Sequence, residues 1–495
     1  MTHLSRAGLL RLMAAAPMAI GLTAPSSAFA APGGAEATSA DAERAVAEAR
    51  RASGNDPVGL LRRSVKGPVL LPSDAGYAEE AAGFEVAHTP APRVVVGATR
   101  AEDVRAAVVY ALAVGAKVRV QATGHGLEDD LRNTVLVTTR RLGGVSVDPK
   151  ARTATIGAGV RWREVLDAAA AHGLAPLLGS ASGVGAIGYS LGGGTGLLSR
   201  QYGWAADAVR SLDVVTGDAC LRTADAKREA ELHWALRGGK FGLGVVTRAV
   251  IDLVPVTRMR GGAVFFAAAD AAAVLHAWRR WAPTLPREAA TSVAILTLPP
   301  SPQLPPPLSG KQVVSVRFSH TGDPAAADAL VAPVRTWAPV LIDSVQELPF
   351  TASDAVHTDP TDPAPTVNGG TGLRELPAAA VDALLAAAGP GSGSALVAVE
   401  LRLMGGALSE KPRVPDAVIG RGAAYSLWGL GIVAGPAGAQ AKPSLEKMVA
   451  SVGRWACPGP LNLAGGGWRD DLRTPEQRKR LEKARRRFDP ARVIG

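Results

Sequence analysis

Cysteine is almost missing from this chain of 495 residues: there are two, Cys220 and Cys457. That number excludes a cysteine-based metal site and leaves room for at most one disulfide, which spacing alone cannot establish. The eight histidines form no H-E-x-x-H pair. Aromatic residues make up 4% of the chain and do not interleave with basic ones, which argues against nucleic-acid binding. No apolar run long enough to span a membrane follows the N-terminal leader. A G-x-x-x-x-G-K-[ST] phosphate loop is absent, and no strict G-x-G-x-x-G follows a first strand. A nucleoside triphosphatase and a nicotinamide-binding Rossmann domain are therefore not the first choice.

What is present is 47% hydrophobic and 20% charged residues, the balance of a globular chain with a large core. The length allows two or three domains. The net charge of +10 is spread along the chain and favours anionic ligands only weakly. Residues 475–488 concentrate basic residues around Leu481, Ala484 and Phe488, the pattern of a capping helix with a solvated basic face.

The N-terminus has the order of an export signal: His3, Arg6 and Arg11, an apolar run over 12–24, and Ala28-Phe29-Ala30 as a small-x-small cleavage site. Arg6 and Arg11 are not adjacent, so a twin-arginine signal is not evident. The expectation is a secreted or extracytoplasmic protein, cytoplasmic if the leader stays uncleaved. After a linker and short helix at 31–64, strand and helix patterns alternate. A strand over 93–97, a helix to about 114 and a strand over 117–121 form a β-α-β unit. Hairpins are expected around Pro149-Lys150-Ala151 and Gly217-Asp218, and a β-branched strand over 244–253. Beyond Val256 the texture becomes mixed helix and strand, with strands over 292–298, 311–318, 395–403 and 423–433 expected in one antiparallel sheet. Residues 354–365 read as an irregular Asp/Pro/Thr loop, with His357 a candidate entrance residue.

Residues 179–196 read Gly-Ser-Ala-Ser-Gly-Val-Gly-Ala-Ile-Gly-Tyr-Ser-Leu-Gly-Gly-Gly-Thr-Gly. So much glycine between ordered segments implies tight turns, or backbone brought close to a large ligand. His125 lies between Gly124 and Gly126 at a strand end, an unusual place for a packing residue. Composition alone leaves open whether it is a base, a ligand or an attachment point.

At these residues the chain resembles the FAD-linked oxidases of the vanillyl-alcohol oxidase type, in their berberine-bridge-enzyme-like branch. Residues 118–126 resemble the first FAD loop of that family and 179–196 the second. Val145 to Pro149, Gly157-Ala158-Gly159, Trp162, Tyr202-Gly203, Val214 to Thr216 and Gly244 to Thr247 continue the series. Leu461-Asn462-Leu463 and Phe488-Asp489-Pro490 resemble the C-terminal motifs. The resemblance implies an α+β, two-domain fold: a PCMH-type FAD-binding domain at 65–255 and an α+β substrate domain on an antiparallel sheet at 256–450. Residues 451–495 would return to the FAD domain.

The implied cofactor is FAD, bonded at its 8α position to the histidine matching His125. Its contacts carry over to Thr123, Gly124, Gly126, Gly179, Ser180, Gly185, Gly188, Tyr189, Ser190, Gly192, Gly193, Val245, Val246 and Asn462. Some relatives bond the flavin a second time through cysteine; Ala181 stands at that position, so attachment through His125 only is expected. Leu463 replaces an aromatic residue, and the catalytic tyrosine that some relatives use there is missing.

The implied reaction is hydride transfer from an alcohol, a sugar hydroxyl or a secondary-metabolite carbon to flavin N5, with molecular oxygen as acceptor. The alternatives are a dehydrogenase with another acceptor, a catalytically degenerate flavin-binding protein, and a peptidoglycan-precursor reductase-like enzyme. The partners are then a small organic substrate and oxygen, with no nucleic acid and no stable membrane insertion. For the accompanying base, strand period two puts Glu400, Arg402 and Met404 on one face, and Tyr425, Leu427 and Gly429 on a face of another strand. Arg402, Tyr425, Glu410 (after Gly405-Gly406) and Asn462 are the catalytic candidates.

Overall fold

The computed structural model of the protein describes residues 39–52, 56–126, 129, 131–465 and 469–495. The expected export signal at 1–30 and the start of the linker at 31–38 lie outside these residues.

The described residues build three sheets. The first contains β1 (Val69–Leu70), β2 (Val94–Gly97), β3 (Lys117–Gln121) and β4 (Thr134–Thr138), in the order β1-β2-β4-β3. β2, β4 and β3 run parallel. β2 and β4 are buried at every position, as expected of parallel strands covered on both faces. The helix Ala101–Val114 crosses from β2 to β3. Asp103 fixes its start by accepting the N–H groups of Lys66 and Thr99 at 2.9 Å each. β3 then delivers the loop 122–126, with His125, at its C-terminal end.

The second sheet is antiparallel: β5 (Val145–Asp148), β6 (Thr153–Gly157), β7 (Val209–Thr216), β8 (Leu221–Asp225) and β9 (Gly244–Asp252), in the order β5-β6-β9-β7-β8. The helix Trp162–Ala170 and the glycine-rich segment lie between β6 and β7. Both sheets share one apolar core, in which Val94, Val96 and Val137 meet Ile156, Val214 and Ile251. The basic C-terminal helix Pro475–Phe488 starts at a Thr474 cap and inserts Leu481, Ala484 and Phe488 into the same core.

The third sheet is antiparallel throughout: β10 (Arg258–Ala267), β11 (Ala289–Thr297), β12 (Gln312–His320), β13 (Val340–Asp343), β14 (Gln346–Pro349), β15 (Thr366–Leu373), β16 (Leu396–Leu403), β17 (Tyr425–Ile432) and β18 (Ala456–Cys457). Its order is β13-β10-β12-β11-β16-β17-β15-β18, with β14 also paired to β10. This is the single antiparallel sheet anticipated from sequence. β13, β14, β15 and β18 were not anticipated, nor was the helix Gly438–Ser451, which carries Pro443 inside it.

One face of this sheet closes a second apolar core against the helices Ala271–Trp281, Ala378–Ala388 and Gly438–Ser451, with Trp278, Val293, Val316, Leu384, Leu401, Leu427 and Met448. Successive strand residues point to opposite faces, so Ser292, Ser315, Arg317, Glu400, Arg402 and Ser426 line the other face.

Candidate active site

The register of the third sheet sets these residues in rows. Arg317 of β12 lies opposite Ser292 of β11, which lies opposite Arg402 of β16, which lies opposite Ser426 of β17. The next row on the same face is Ser315, Ala294, Glu400, Trp428 and, on β15, Gly370. Apart from Trp428, the neighbours of the three charged side chains are small and leave space above them. A small pocket opens there, walled by Thr195 to Leu197 and Arg200 at the end of the glycine-rich segment. Its other wall holds Ser292, Arg317, His357 and Arg402.

Glu400 organises the charges. Its Oε1 accepts from Arg317 Nη1 at 2.7 Å and its Oε2 from Arg402 Nε at 2.8 Å. Burial alone would raise its pKa, but the charges of Arg402 and Arg317, with His357, outweigh that and hold the carboxyl well below the usual range. His357 Nε2 stands 3.4 Å from Glu400 Oε1, yet neither ring nitrogen makes a hydrogen bond. Burial pushes the imidazole pKa down, and Arg317 and Arg402 add to that against the pull of Glu400. His357 is therefore neutral near pH 7. In the glycine-rich segment, the Tyr189 hydroxyl is also buried without a partner. Burial raises its pKa, opposed by the charge of Arg402.

The loop that carries His357 is latched to the glycine-rich segment. Asp354 accepts the Ser182 N–H at 2.9 Å, the Ser182 hydroxyl at 2.5 Å and Arg163 Nη2 at 2.8 Å. The part of the Asp/Pro/Thr loop expected to be irregular thus includes the end of a short 3₁₀ turn, Phe350–Val356, and it places His357 in the cavity wall.

The two glycine-bearing loops touch: a Cβ on Gly185 would sit 3.3 Å from the Ala122 side chain. Gly124 has φ +74, and a Cβ there would fall 2.5 Å from Gly83 Cα, so this position needs glycine for chain packing. The same holds at Gly192, where a Cβ would meet Asn462 Oδ1 at 1.9 Å, at Gly193 against Trp204, and at Gly179 against the Tyr189 ring. Much of the glycine content therefore serves close approach of the protein to itself. Gly126 and Gly188 differ: nothing lies within 4 Å of a Cβ at either.

His125 stacks on Phe84 at 4.0 Å between ring centroids, with 6° between planes. Its Nδ1 is 2.8 Å from Thr123 Oγ1. Burial, with a contribution from Arg161, lowers its pKa to about 4, so the ring is neutral with a lone pair at physiological pH. Ser190 donates its hydroxyl to Ala186 O at 2.9 Å, and Ser180 is half-buried. Val245 and Val246 are buried in β9, paired with Val215 and Val214. Asn462 donates to Tyr189 O at 2.8 Å, joining the C-terminal segment to the glycine-rich one.

The four catalytic candidates separate. Arg402 lines the cavity, and Asn462 lies against Gly192 and Tyr189. Tyr425 lies on the other face of the sheet, 5.8 Å from the Trp278 ring, because it pairs with Leu403 rather than Arg402. Glu410 is exposed in an ion pair with Arg287 at 3.3 Å. Arg317 was missed from sequence; the run Ser315-Val316-Arg317-Phe318-Ser319 carried its signal, polar residues alternating with apolar ones. Cys220 and Cys457 are not joined in a disulfide. Among the described residues no group of three or more His, Cys, Asp or Glu could hold a metal ion, and no helix is long and apolar enough to cross a membrane.

FAD fits this place by two observations: open space beside Gly126 and Gly188, and buried polar atoms of Tyr189, Ser292 and His357 without protein partners. Comparison with known proteins agrees. The FAD binding domain family matches residues 92–225. The FAD-dependent monooxygenase prx3 of Penicillium roqueforti is 30% identical over 45% of this chain and 44% of its own length. The (R)-6-hydroxynicotine oxidase of Paenarthrobacter nicotinovorans is 30% identical over 39% of this chain and 43% of its own. The chain thus spans less than half the length of these curated relatives in the matched region. The solved structure of Physcomitrella patens BBE-like 1 superposes with a TM-score of 0.76 at 19% identity, over 88% of this chain and 97% of that one. Residues 92–225 thus match the FAD binding domain family, and the chain shares its fold with the BBE-like 1 structure.

Proposed function

We propose that the protein is an FAD-dependent oxidoreductase that oxidises a small organic substrate in the cavity between the glycine-rich segment and the polar face of the third sheet. The observation that carries this reading is the position of that cavity: its walls are the end of the FAD-binding domain's glycine segment and the Arg317–Glu400–Arg402 cluster. Residues 65–255 form the cofactor half and 256–450 the substrate half, with 451–495 returning to the first; the two apolar cores and the place of Phe488 in the first support that division.

FAD, when bound, supplies a two-electron, hydride-accepting group. The chain's own residues bind and orient the substrate and manage its proton. His357, neutral and facing Glu400, accepts the proton of the substrate's hydroxyl or amine. The Tyr189 hydroxyl, kept protonated by burial, donates a hydrogen bond. Glu400, already ionised and held by two guanidiniums, positions Arg317 and Arg402. Asn462 fixes the backbone of the glycine segment at Tyr189. His125 is the attachment point: its depressed pKa leaves a free lone pair for a covalent bond, and Ala181 offers no second one. Oxygen is the proposed electron acceptor.

The test is native purification followed by acid precipitation. Yellow colour should stay with the wild-type precipitate and be released from the His125→Ala variant. Colour released in full from loaded wild type would refute attachment, and protein that never carries flavin would refute the oxidoreductase reading. Peroxide release across a panel of alcohols, amines and sugars then separates an oxidase from a dehydrogenase.

A further inference from the structure

The cavity has a charge imbalance that the oxidoreductase reading does not use. Three guanidiniums, Arg200, Arg317 and Arg402, line it. One buried carboxylate, Glu400, answers two of them. Asp359 acts on Arg402 through space and Tyr189 stays protonated, so one positive charge is left over. His357, neutral, adds none.

The three arginines are not equivalent. Arg200 is spent on structure: its nitrogens donate to the carbonyls of Ala289, Leu285, Pro286 and Met404. Arg317 and Arg402 each donate to Glu400 through one nitrogen, and among the described residues no other acceptor reaches them. A guanidinium carries five N–H donors in a fork that matches a carboxylate, so most of their donor capacity is unused.

Neutral donors complete the pattern. The hydroxyls of Ser292 and Ser426 flank Arg402 in its own row, and Ser315 lies beside Arg317 on β12; all three are buried and none has a partner. Ser292, at 2% exposure, and His357, at 7%, are in the cavity wall. A buried hydroxyl left unpaired costs about 1–3 kcal/mol, so a ligand that accepts from several of them at once recovers much of that cost.

A second buried ionic cluster shows what a purely structural arrangement looks like. There Arg237 donates to the carbonyls of Ala206, Val414 and Pro415, and Arg421 to Asp207 and Asp416. Carbonyls and carboxylates take up most of its donors, with Arg421 Nε the exception.

Resting on the oxidoreductase reading, we propose that the substrate is an organic acid, whose carboxylate is bound by Arg317 and Arg402 with help from the Ser292 hydroxyl. The carboxylate orients the molecule, and the carbon to be oxidised lies on the glycine-segment side of the cavity. A neutral sugar or simple alcohol leaves the spare charge and the unused donors unanswered.

The test is calorimetric titration of the natively purified holoenzyme with sodium benzoate and with benzamide, which have nearly the same shape but differ in charge. Benzoate should bind at least about tenfold more tightly, the scale of one charge-assisted hydrogen bond. In Arg402→Gln that preference should fall to about twofold, with flavin content per protein unchanged. Equal affinity for the two probes in wild type, or a preference that survives Arg402→Gln, overturns the proposal. The wild-type comparison needs no substitution, so it decides even if the variant does not fold. Flavin content is read on the same sample, which separates a failure of the acid site from a failure of the FAD reading.

Discussion

On one face of the nine-stranded sheet Val293, Val316, Leu401 and Leu427 stand in register and close an apolar core. On the other face the same four strands place Ser292, Arg317, Arg402 and Ser426. The first face is satisfied by protein alone. The second holds three hydroxyls with no protein partner, around an Arg–Glu–Arg cluster that the His357 imidazole faces from its loop at 3.4 Å. A buried ion pair is weak evidence for stability, and unpaired buried hydroxyls are a direct cost. One face is organised for folding and the other for something that binds.

The comparison can be broken by substitutions that differ in face. The largest effect is expected at His357. His357→Gln keeps a polar side chain but removes the proton acceptor, and should lower turnover by about 10²–10⁴-fold with the thermal midpoint little changed. A variant within threefold of wild type would remove His357 from the chemistry. On the apolar face, Leu427→Ala should cost about 2–5 kcal/mol of unfolding free energy, measured by denaturant titration, with flavin stoichiometry retained while the protein is folded.

The pH dependence of stability should separate the faces next. His125 and His233 have pKa values lowered to about 4, chiefly by burial, and His320 and His357 are also lowered. Each depressed histidine contributes stability that is present above its ordinary pKa of about 6.5 and is lost as pH falls through its folded value. Asp416 opposes this. Burial raises its pKa to about 6, so its contribution is present at low pH and lost as pH rises through 6. Burial raises the Asp489 pKa as well, but four histidines outweigh two aspartates, and the unfolding midpoint should drop between pH 6.5 and 4. His357→Gln should make that drop shallower, and Leu427→Ala should shift the curve without changing its slope. The smallest effects belong to Tyr425→Phe and Glu410→Gln, expected within about 0.5 kcal/mol in stability and near wild type in turnover.

Strands with β-branched alternation, such as β9 and β12, were legible in the sequence, as were the helix over 101–114 and the C-terminal helix with its Leu481 and Phe488 face. β15 was not, because Gly369, Gly370 and Gly372 erase its alternation, and Pro443 argues against the helix that contains it. Period two found the polar face through Glu400, Arg402 and Met404, but it cannot say which of two faces a neighbouring strand offers. Tyr425 was a fair candidate until register paired it with Leu403. His357 was harder still: its place depends on the Asp354 latch to Ser182 and Arg163, contacts about 170 to 190 residues apart in sequence that no local pattern encodes.

The most direct test of the claim that the polar face is the functional one is the midpoint reduction potential of the bound flavin in wild type, Arg402→Gln and Tyr425→Phe. Removing a buried positive charge from the wall of the proposed active site should lower the potential in Arg402→Gln, while Tyr425→Phe, on the opposite face, should match wild type. An unchanged potential in flavin-loaded Arg402→Gln, or an equal shift in Tyr425→Phe, would contradict the account.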